Sequence, residues 1–382
     1  MHNETVEILK KLITIKSQFP EESNLGEYID SYLTENGFKT KRQYLSKNRF
    51  NLFAEKGKTG KAILFYGHMD TVPAYGSWKT NPINPVIVGD RLYGLGASDM
   101  KGGIAAVLSS LSKFGKNNIK LLFCVDEENI SAGVWKAITA EKPWFNNVSL
   151  IVSAEAGDSQ EHSGGPDTIT LGRRGRVVMA INVKGASSHA ATSPEKGINA
   201  IDEAAKIVTN MSKFEYKKHT KLGNETIFIN KIEGSATSLS LPESTLLQMD
   251  MQLVTPEKAI ETKKRVEKYL EKLYSNGVLN KNTKTTVIEL ERETPYMRPY
   301  IVDPNNHVVK RVLKLITTKF GKFQINYGRS VADDNALASL GIPIMTIGPT
   351  GGNEHTANEW VSIKSVEELT SLYEDIASSG ST

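Results

Sequence analysis

Short apolar runs alternate with amphipathic segments along most of this chain. Val6, Leu9, Leu12 and Ile13 recur at helical spacing, as do Leu25, Ile29, Tyr32 and Leu33, with Gly37 as a C-terminal stop. Ala62-Ile63-Leu64-Phe65-Tyr66 then forms an unbroken apolar run that ends at Gly67, and Leu121 to Val125 and Leu150-Ile151-Val152 are two more. Runs this short and apolar predict buried strands. The helical segments between them predict an α/β fold, a mostly parallel sheet with helices on both faces. In open sheets of that kind, ligands bind beyond the carboxyl ends of the strands. Each run here is followed within a few residues by a histidine or a carboxylate.

The pattern changes around Gly172-Arg173-Arg174-Gly175. Val177 to Val183 reads as a strand and Ile198 to Met211 as a helix. Ile227, Ile229 and Ile232, then Leu246 to Leu253, read as further strands, and Thr255 to Tyr274 as a long helix. Two strand-helix-strand passes predict a small α+β insertion with an antiparallel sheet. A chain of 382 residues exceeds the usual single core, so two domains are expected. Residues 1–174 and 292–382 are assigned to one discontinuous catalytic domain, and 175–291 to an inserted lid or dimerisation domain.

Charge and cysteine content narrow the function classes. A net charge of +4 is too small for a nucleic-acid signature, and stretches such as Lys263-Lys264-Arg265 read as solvated helix faces. No stretch approaches the ~18 apolar residues of a membrane span, and the N-terminus has no long apolar segment, so a cytoplasmic protein is expected. Cys124 is the single cysteine, inside an apolar run, which excludes an intrachain disulfide framework or a thiolate metal cluster.

Five separated segments carry the candidate chemistry: Gly67-His68-Met69-Asp70, Ala97 to Gly103, Asp126-Glu127-Glu128, Ala154-Glu155-Ala156-Gly157 and Glu354-His355-Thr356. Together they offer two histidines and several carboxylates, enough for two divalent metals sharing one bridging carboxylate. Such a pair ionises a water and neutralises a developing oxyanion, which is hydrolytic chemistry. Residues two apart on a strand face the same way, so His68 would bind metal while Asp70 orients its ring. Of the adjacent Glu127 and Glu128, one would bind metal and the other take the proton from water. A phosphate-loop reading of Lys101-Gly102-Gly103 fails, because the glycine-rich motif before the lysine is absent.

The blocks GHMDTVP, LYGLGASDMKGG, VDEE, SAEAG, HAATSPEKGINAI and GNEHTANEWV, in this order from residue 67 to 361, resemble the M20 metallopeptidase and deacylase family. That family includes glutamate carboxypeptidase, acetylornithine deacetylase, succinyl-diaminopimelate desuccinylase and aminoacylase-type enzymes. The resemblance implies one metal held by His68, Asp99 and Glu155 and another by Asp99, Glu128 and His355, with Asp99 bridging and a cis peptide bond after it. It implies Glu127 as general base, Asp70 as the buttress of His68, and His189 as the group that polarises the scissile carbonyl, often from the partner subunit of a homodimer. Zinc is the first expectation for these donors, with cobalt or manganese able to substitute.

Two positions depart from the family pattern. Leu239 stands where many relatives carry Asn, and Asp250-Met251-Gln252 has Gln in place of an Arg that anchors a substrate carboxylate. A neutral amide cannot supply that charged, bidentate clamp. Arg298, Arg329 or Arg174 would have to replace it, and Arg329 and Asp334 are further candidates for substrate contact. Asp333 or Asp334 capping a helix over Asn335 to Leu340 is the structural alternative. The reading is a dinuclear-metal amidohydrolase of N-acyl amino acids or short peptides. The alternatives are a biosynthetic deacylase acting on acetylornithine, an acylated lysine or succinyl-diaminopimelate, and then a non-catalytic binding protein on the same fold.

Overall fold

The computed structural model describes residues 2–57, 60–114, 117–157 and 164–379. The chain divides into two units, one of Met1–Arg173 with Tyr300–Thr382 and the other of Arg174–Pro299. Residues 292–299 thus belong to the second unit rather than the first. The Arg176 amide donates to the Met297 carbonyl at 2.8 Å, and the Tyr296 hydroxyl donates to Leu290 O at 2.9 Å, which ties this segment to the inserted sheet.

The first unit is built on a mixed sheet. Its centre consists of strands Ile119–Cys124, Ala62–His68, Val148–Ser153 and Ile344–Thr346, adjacent in that order and mutually parallel. Ala62–His68 and Ile119–Cys124 are buried at every residue, as the continuous apolar runs require. Successive side chains leave a strand on opposite faces, and Phe65 and Tyr66 show what each face meets. The Phe65 ring packs on Phe114 and Tyr373, with centroids 5.5 and 5.1 Å away, beside helices Gly102–Ser110 and Ile363–Ser378. Tyr66 turns the other way and hydrogen-bonds Asp333 on helix Asp333–Ala338. Helices therefore cover both faces.

The flanks, where the sequence pattern predicted no strands, are largely antiparallel, with Gln324–Gly328 parallel to Thr168–Arg173 as the exception. A hairpin of Lys39–Ser46 and Arg49–Lys56 joins Ile119–Cys124 at one edge, and Thr168–Arg173 runs antiparallel to Ile344–Thr346 and to Tyr300–Ile301 near the other. Lys39–Ser46 is polar and mostly solvent-facing, so its hydrophobic period is too weak to read. Gly37 does follow helix Ser23–Glu35 with φ +77°, the left-handed conformation that glycine adopts without a Cβ penalty.

The second unit is a four-stranded antiparallel sheet in the order Thr226–Gly234, Ser244–Leu253, Gly175–Lys184, Lys284–Glu289. Alternate residues Val177, Met179, Ile181 and Val183 pack with Leu247, Met249, Met251 and Leu253 and with Val266, Leu270 and Leu273 of helix Ala259–Ser275. That helix starts four residues later than its apolar period suggested, because Pro256 lies in the connection. Among the described residues, no helix is long and apolar enough to cross a membrane.

Candidate metal centre

Three neighbouring parallel strands end at one place. His68 closes Ala62–His68 and pairs in register with Cys124, so the chain leaves Ile119–Cys124 beside it and reaches Glu127 and Glu128 three and four residues later. On the other side Tyr66 pairs with Ser153, and the Ala154 amide donates to Tyr66 O at 3.0 Å, which leaves Glu155 at the same edge. Asp99 comes from the turn before helix Gly102–Ser110. That helix approaches the Glu155 strand so closely that a Cβ at Gly103 would stand 1.9 Å from Ala154 O. His355 arrives from the loop between Gly351–Gly352 and Trp360–Ser362.

Asp99 lies between the two imidazoles. His68 Nε2 is 3.0 Å from Asp99 Oδ1 and 3.5 Å from Glu155 Oε2, while His355 Nε2 is 3.1 Å from Asp99 Oδ2 and 3.1 Å from Glu128 Oε2. His68, Asp99 and Glu155 form one group whose donor atoms all fall within 4.8 Å of one another, and Asp99, Glu128 and His355 form a second. A third such group, His68 with Glu127 and Glu128, places the adjacent acids at the same centre. The peptide bond from Asp99 to Met100 is cis. Imidazole and carboxylate donors in two sets that share one residue fit a pair of divalent cations.

Asp70 meets the His68 ring through its backbone oxygen as well as its carboxylate. His68 Nδ1 is 3.0 Å from the backbone oxygen of Asp70 and 3.7 Å from its carboxylate. The other carboxylate oxygen accepts the Glu128 amide at 2.8 Å, so Asp70 ties the His68 strand to the turn that carries both glutamates. Asp126 opens that turn with φ +78°, a conformation seen mainly in Gly, Asn and Asp. Its carboxylate accepts from Arg49 at 2.8 Å and from the Ala132 amide at 3.0 Å, and Arg49 is itself held by the fully buried Glu22. Neither Arg49 nor Glu22 has a sequence signal, since both lie in segments far from any motif.

Crowded carboxylates set the electrostatics. Burial, reinforced by Glu128, Asp333 and Glu155, pushes the Glu127 carboxyl well above its ordinary range. Burial and the Asp99 charge push Glu155 up to about 8. Burial also opposes charge on Asp99, but hydrogen bonds from His355 and His68 outweigh it and hold that carboxyl well below the usual range. Hydrogen bonds to Asp99 and Glu128 raise His355 to about 11. For His68, burial works against the cation, and Glu155 and Asp99 overcome it. A bound divalent cation would draw the raised Glu127 and Glu155 carboxyls down and hold the Asp99 carboxylate charged.

The other candidate residues belong to the second unit or take other roles. His189 belongs to the second unit and is exposed. Its Nδ1 accepts the Ala191 and Thr192 amides, each at 3.3 Å, which puts the ring proton on Nε2 as an outward donor. Arg298 is exposed in the second unit and Arg329 in the first. Asp334 is 1% exposed and accepts from Arg173 Nε at 3.1 Å and Thr346 Oγ1 at 2.5 Å, which makes it a buried partner of Arg173 rather than an open contact surface. Neither Asp333 nor Asp334 caps the helix; Asn335 accepts the Ala332 amide at 3.0 Å instead. Arg174 Nε donates to Leu222 O at 2.9 Å. Leu239 is 61% exposed, and Gln252 donates to Asp250 at 3.2 Å.

Comparison with known proteins agrees with this geometry. The family model described as peptidase family M20/M25/M40 matches residues 64–379. A succinyl-diaminopimelate desuccinylase of Nitrosospira multiformis is 27% identical over 98% of this chain and 97% of its own length. Among solved structures, a tripeptidase of Staphylococcus aureus superposes with a TM-score of 0.79 at 20% identity, covering 99% of this chain and 98% of the other. A Bacillus subtilis protein described as a dinuclear metal binding peptidase from the M20 family does so at 0.72 and 14% identity, with 98% and 97% covered. The chain belongs to peptidase family M20/M25/M40, and is a metal-dependent hydrolase of amide bonds.

Proposed function

We propose that this protein hydrolyses the amide bond of an N-acyl amino acid or short peptide at a dinuclear metal centre, with Glu127 as general base. The observation that carries the reading is the position of Asp99, whose two oxygens lie 3.0 and 3.1 Å from two different imidazoles. His68, Asp99 and Glu155 would hold one cation, and Asp99, Glu128 and His355 the other. When bound, two such cations supply Lewis acidity that ionises a water and neutralises the oxyanion; zinc suits the donors best, with cobalt or manganese as substitutes. Glu127, beside Glu128 and His68, takes the proton of the attacking water and returns it to the leaving nitrogen. His189 presents its Nε2 proton to the carbonyl oxygen as charge develops there.

The test is a panel of N-acetyl and N-succinyl amino acids, dipeptides, tripeptides and N-blocked peptides, assayed with zinc-, cobalt- and manganese-loaded protein. Turnover of one group is expected, lost after chelation and restored by metal. Silence across the panel with metal bound would count against the reading.

Similarity over the whole chain to succinyl-diaminopimelate desuccinylases supports a biosynthetic deacylase as the second reading. The charged clamp for a second substrate carboxylate is nonetheless not found at Gln252. Its cross-strand neighbour Arg176 is committed to Asp250 through three contacts of 2.5 to 3.1 Å. N-succinyl substrates are therefore expected to rank below uncharged acyl groups and peptides in the same panel.

Two copies are expected to pair through the second unit. Strand Thr226–Gly234 is an edge of its sheet, and Phe228 and Ile232 on it are each 51% exposed, a combination that favours strand addition or apolar contact with another chain. Light scattering should give a dimer, and Phe228→Lys with Ile232→Lys should give a monomer. A monomeric parent protein, or a dimeric variant, overturns this.

A further inference from the structure

One buried carboxylate near the centre belongs to neither donor set. Glu359 is 2% exposed and immediately precedes strand Trp360–Ser362. Its Oε2 accepts the Gly96 amide at 2.7 Å, and its Oε1 accepts the amides of Ser98 at 2.8 Å and of Asp99 at 2.9 Å. Its backbone oxygen accepts the Gly94 amide at 3.0 Å. A single residue thus satisfies four amides of the segment that ends at Asp99. Buried amides left without partners are costly, so that segment has a definite position only while Glu359 is in place.

The same loop carries a donor of its own. Asn353, His355 and Asn358 have φ of +63°, +59° and +62°, and Asn353 Nδ2 closes the loop on Asn358 O at 3.1 Å. Left-handed backbone at a histidine is uncommon and persists where surrounding contacts determine it. Those contacts again lead to the Asp99 segment, because the Ser98 hydroxyl donates to Glu354 Oε1 at 2.6 Å. His355 is therefore flanked by two carboxylates, Glu354 and Glu359, that both grip residues 94–99. Glu359 also faces the buried Lys101, whose Nζ donates to Ile15 O at 3.0 Å.

We propose that Glu359 is a positioning residue that sets the separation of Asp99 and His355, and through it the affinity of the Asp99–Glu128–His355 site for its cation. Of its three donors, Glu359 holds the backbone of the shared Asp99 and closes the loop that carries His355, whereas Glu128 is held by Asp70, and His68 and Glu155 are placed by the central strands. The second cation should consequently depend on Glu359 more than the first. This rests on the dinuclear reading above.

The test is Glu359→Gln, which keeps the shape but turns an amide donor towards one of the three backbone donors. Metal-free protein is titrated with cobalt chloride, followed by calorimetry and by the visible absorption of the bound cobalt. The parent protein is expected to bind two equivalents. In Glu359→Gln one of the two equivalents should bind roughly 10- to 100-fold less tightly, the cost typical of losing an outer partner, and its absorption band should change while the other equivalent is retained. Ser98→Ala, which removes the hydroxyl that donates to Glu354, should act in the same direction and less strongly. Melting of both metal-free variants separates this from general destabilisation. Should Glu359→Gln fail to fold, Ser98→Ala decides. Two equivalents bound with parental affinity and spectrum, or equal weakening of both, overturn the proposal. A parent protein that binds fewer than two equivalents overturns the dinuclear reading instead.

Discussion

Glu127→Ala is expected to lower kcat by roughly 10²- to 10⁴-fold, the range that a positioned general base contributes, while both metals stay bound. Glu127 lies with Glu128 and His68 at the centre but is in neither of the two sets that share Asp99. Its removal deletes the proton acceptor and leaves three carboxylates and two imidazoles for the cations. KM should change far less than kcat, because the proton transfer is made in the transition state and not on binding. Metal analysis of the purified variant, beside steady-state rates on the substrate found in the panel, checks both halves. Parental turnover would remove Glu127 from the mechanism. Loss of metal together with activity would reassign it as a ligand.

Asp99→Ala should fail in the opposite way, with metal lost first and activity following. Asp99 is the one residue common to the two sets that contain His355 and Glu155, and each of its oxygens faces a different imidazole. Partners that only orient ligands typically cost 10- to 100-fold in affinity, so the shared donor itself should cost more than about 100-fold. Dialysed protein is expected to retain fewer than two metals by elemental analysis, and turnover should fall to background. Two tightly held metals in this variant would mean that Asp99 does not bridge. Glu127→Ala and Asp99→Ala thus separate chemistry from metal retention.

Much of the centre was legible from residue order because of the central sheet. His68, Glu127, Glu128 and Glu155 each follow a continuous apolar run, and a run buried on both faces can be recognised without knowing its neighbours. Lys39–Ser46 was not legible, since a polar, half-exposed edge strand carries little period, and without it the buried Arg49–Lys56 had no visible hairpin partner. Asp70 was assigned to the ring of His68 from a two-residue spacing, and that spacing gave no sign that its second carboxylate oxygen accepts the Glu128 amide. Spacing indicates which face a side chain leaves, whereas the hydrogen-bond partner depends on a neighbouring strand.

The sequence by itself determined the presence of two units, the buried parallel strands, and the inventory of imidazoles and carboxylates at their ends, because local hydrophobic pattern and residue chemistry decide those. Only the tertiary structure decided that Arg49 and Glu22 fix the turn before Glu127, that Asp334 is consumed by Arg173, and that Glu359 binds the backbone of a segment some 260 residues away in the chain. Each of these is a contact between segments distant in sequence. Its existence depends on strand register and on which buried polar group still needs a partner, and neither is written in any local stretch of the chain.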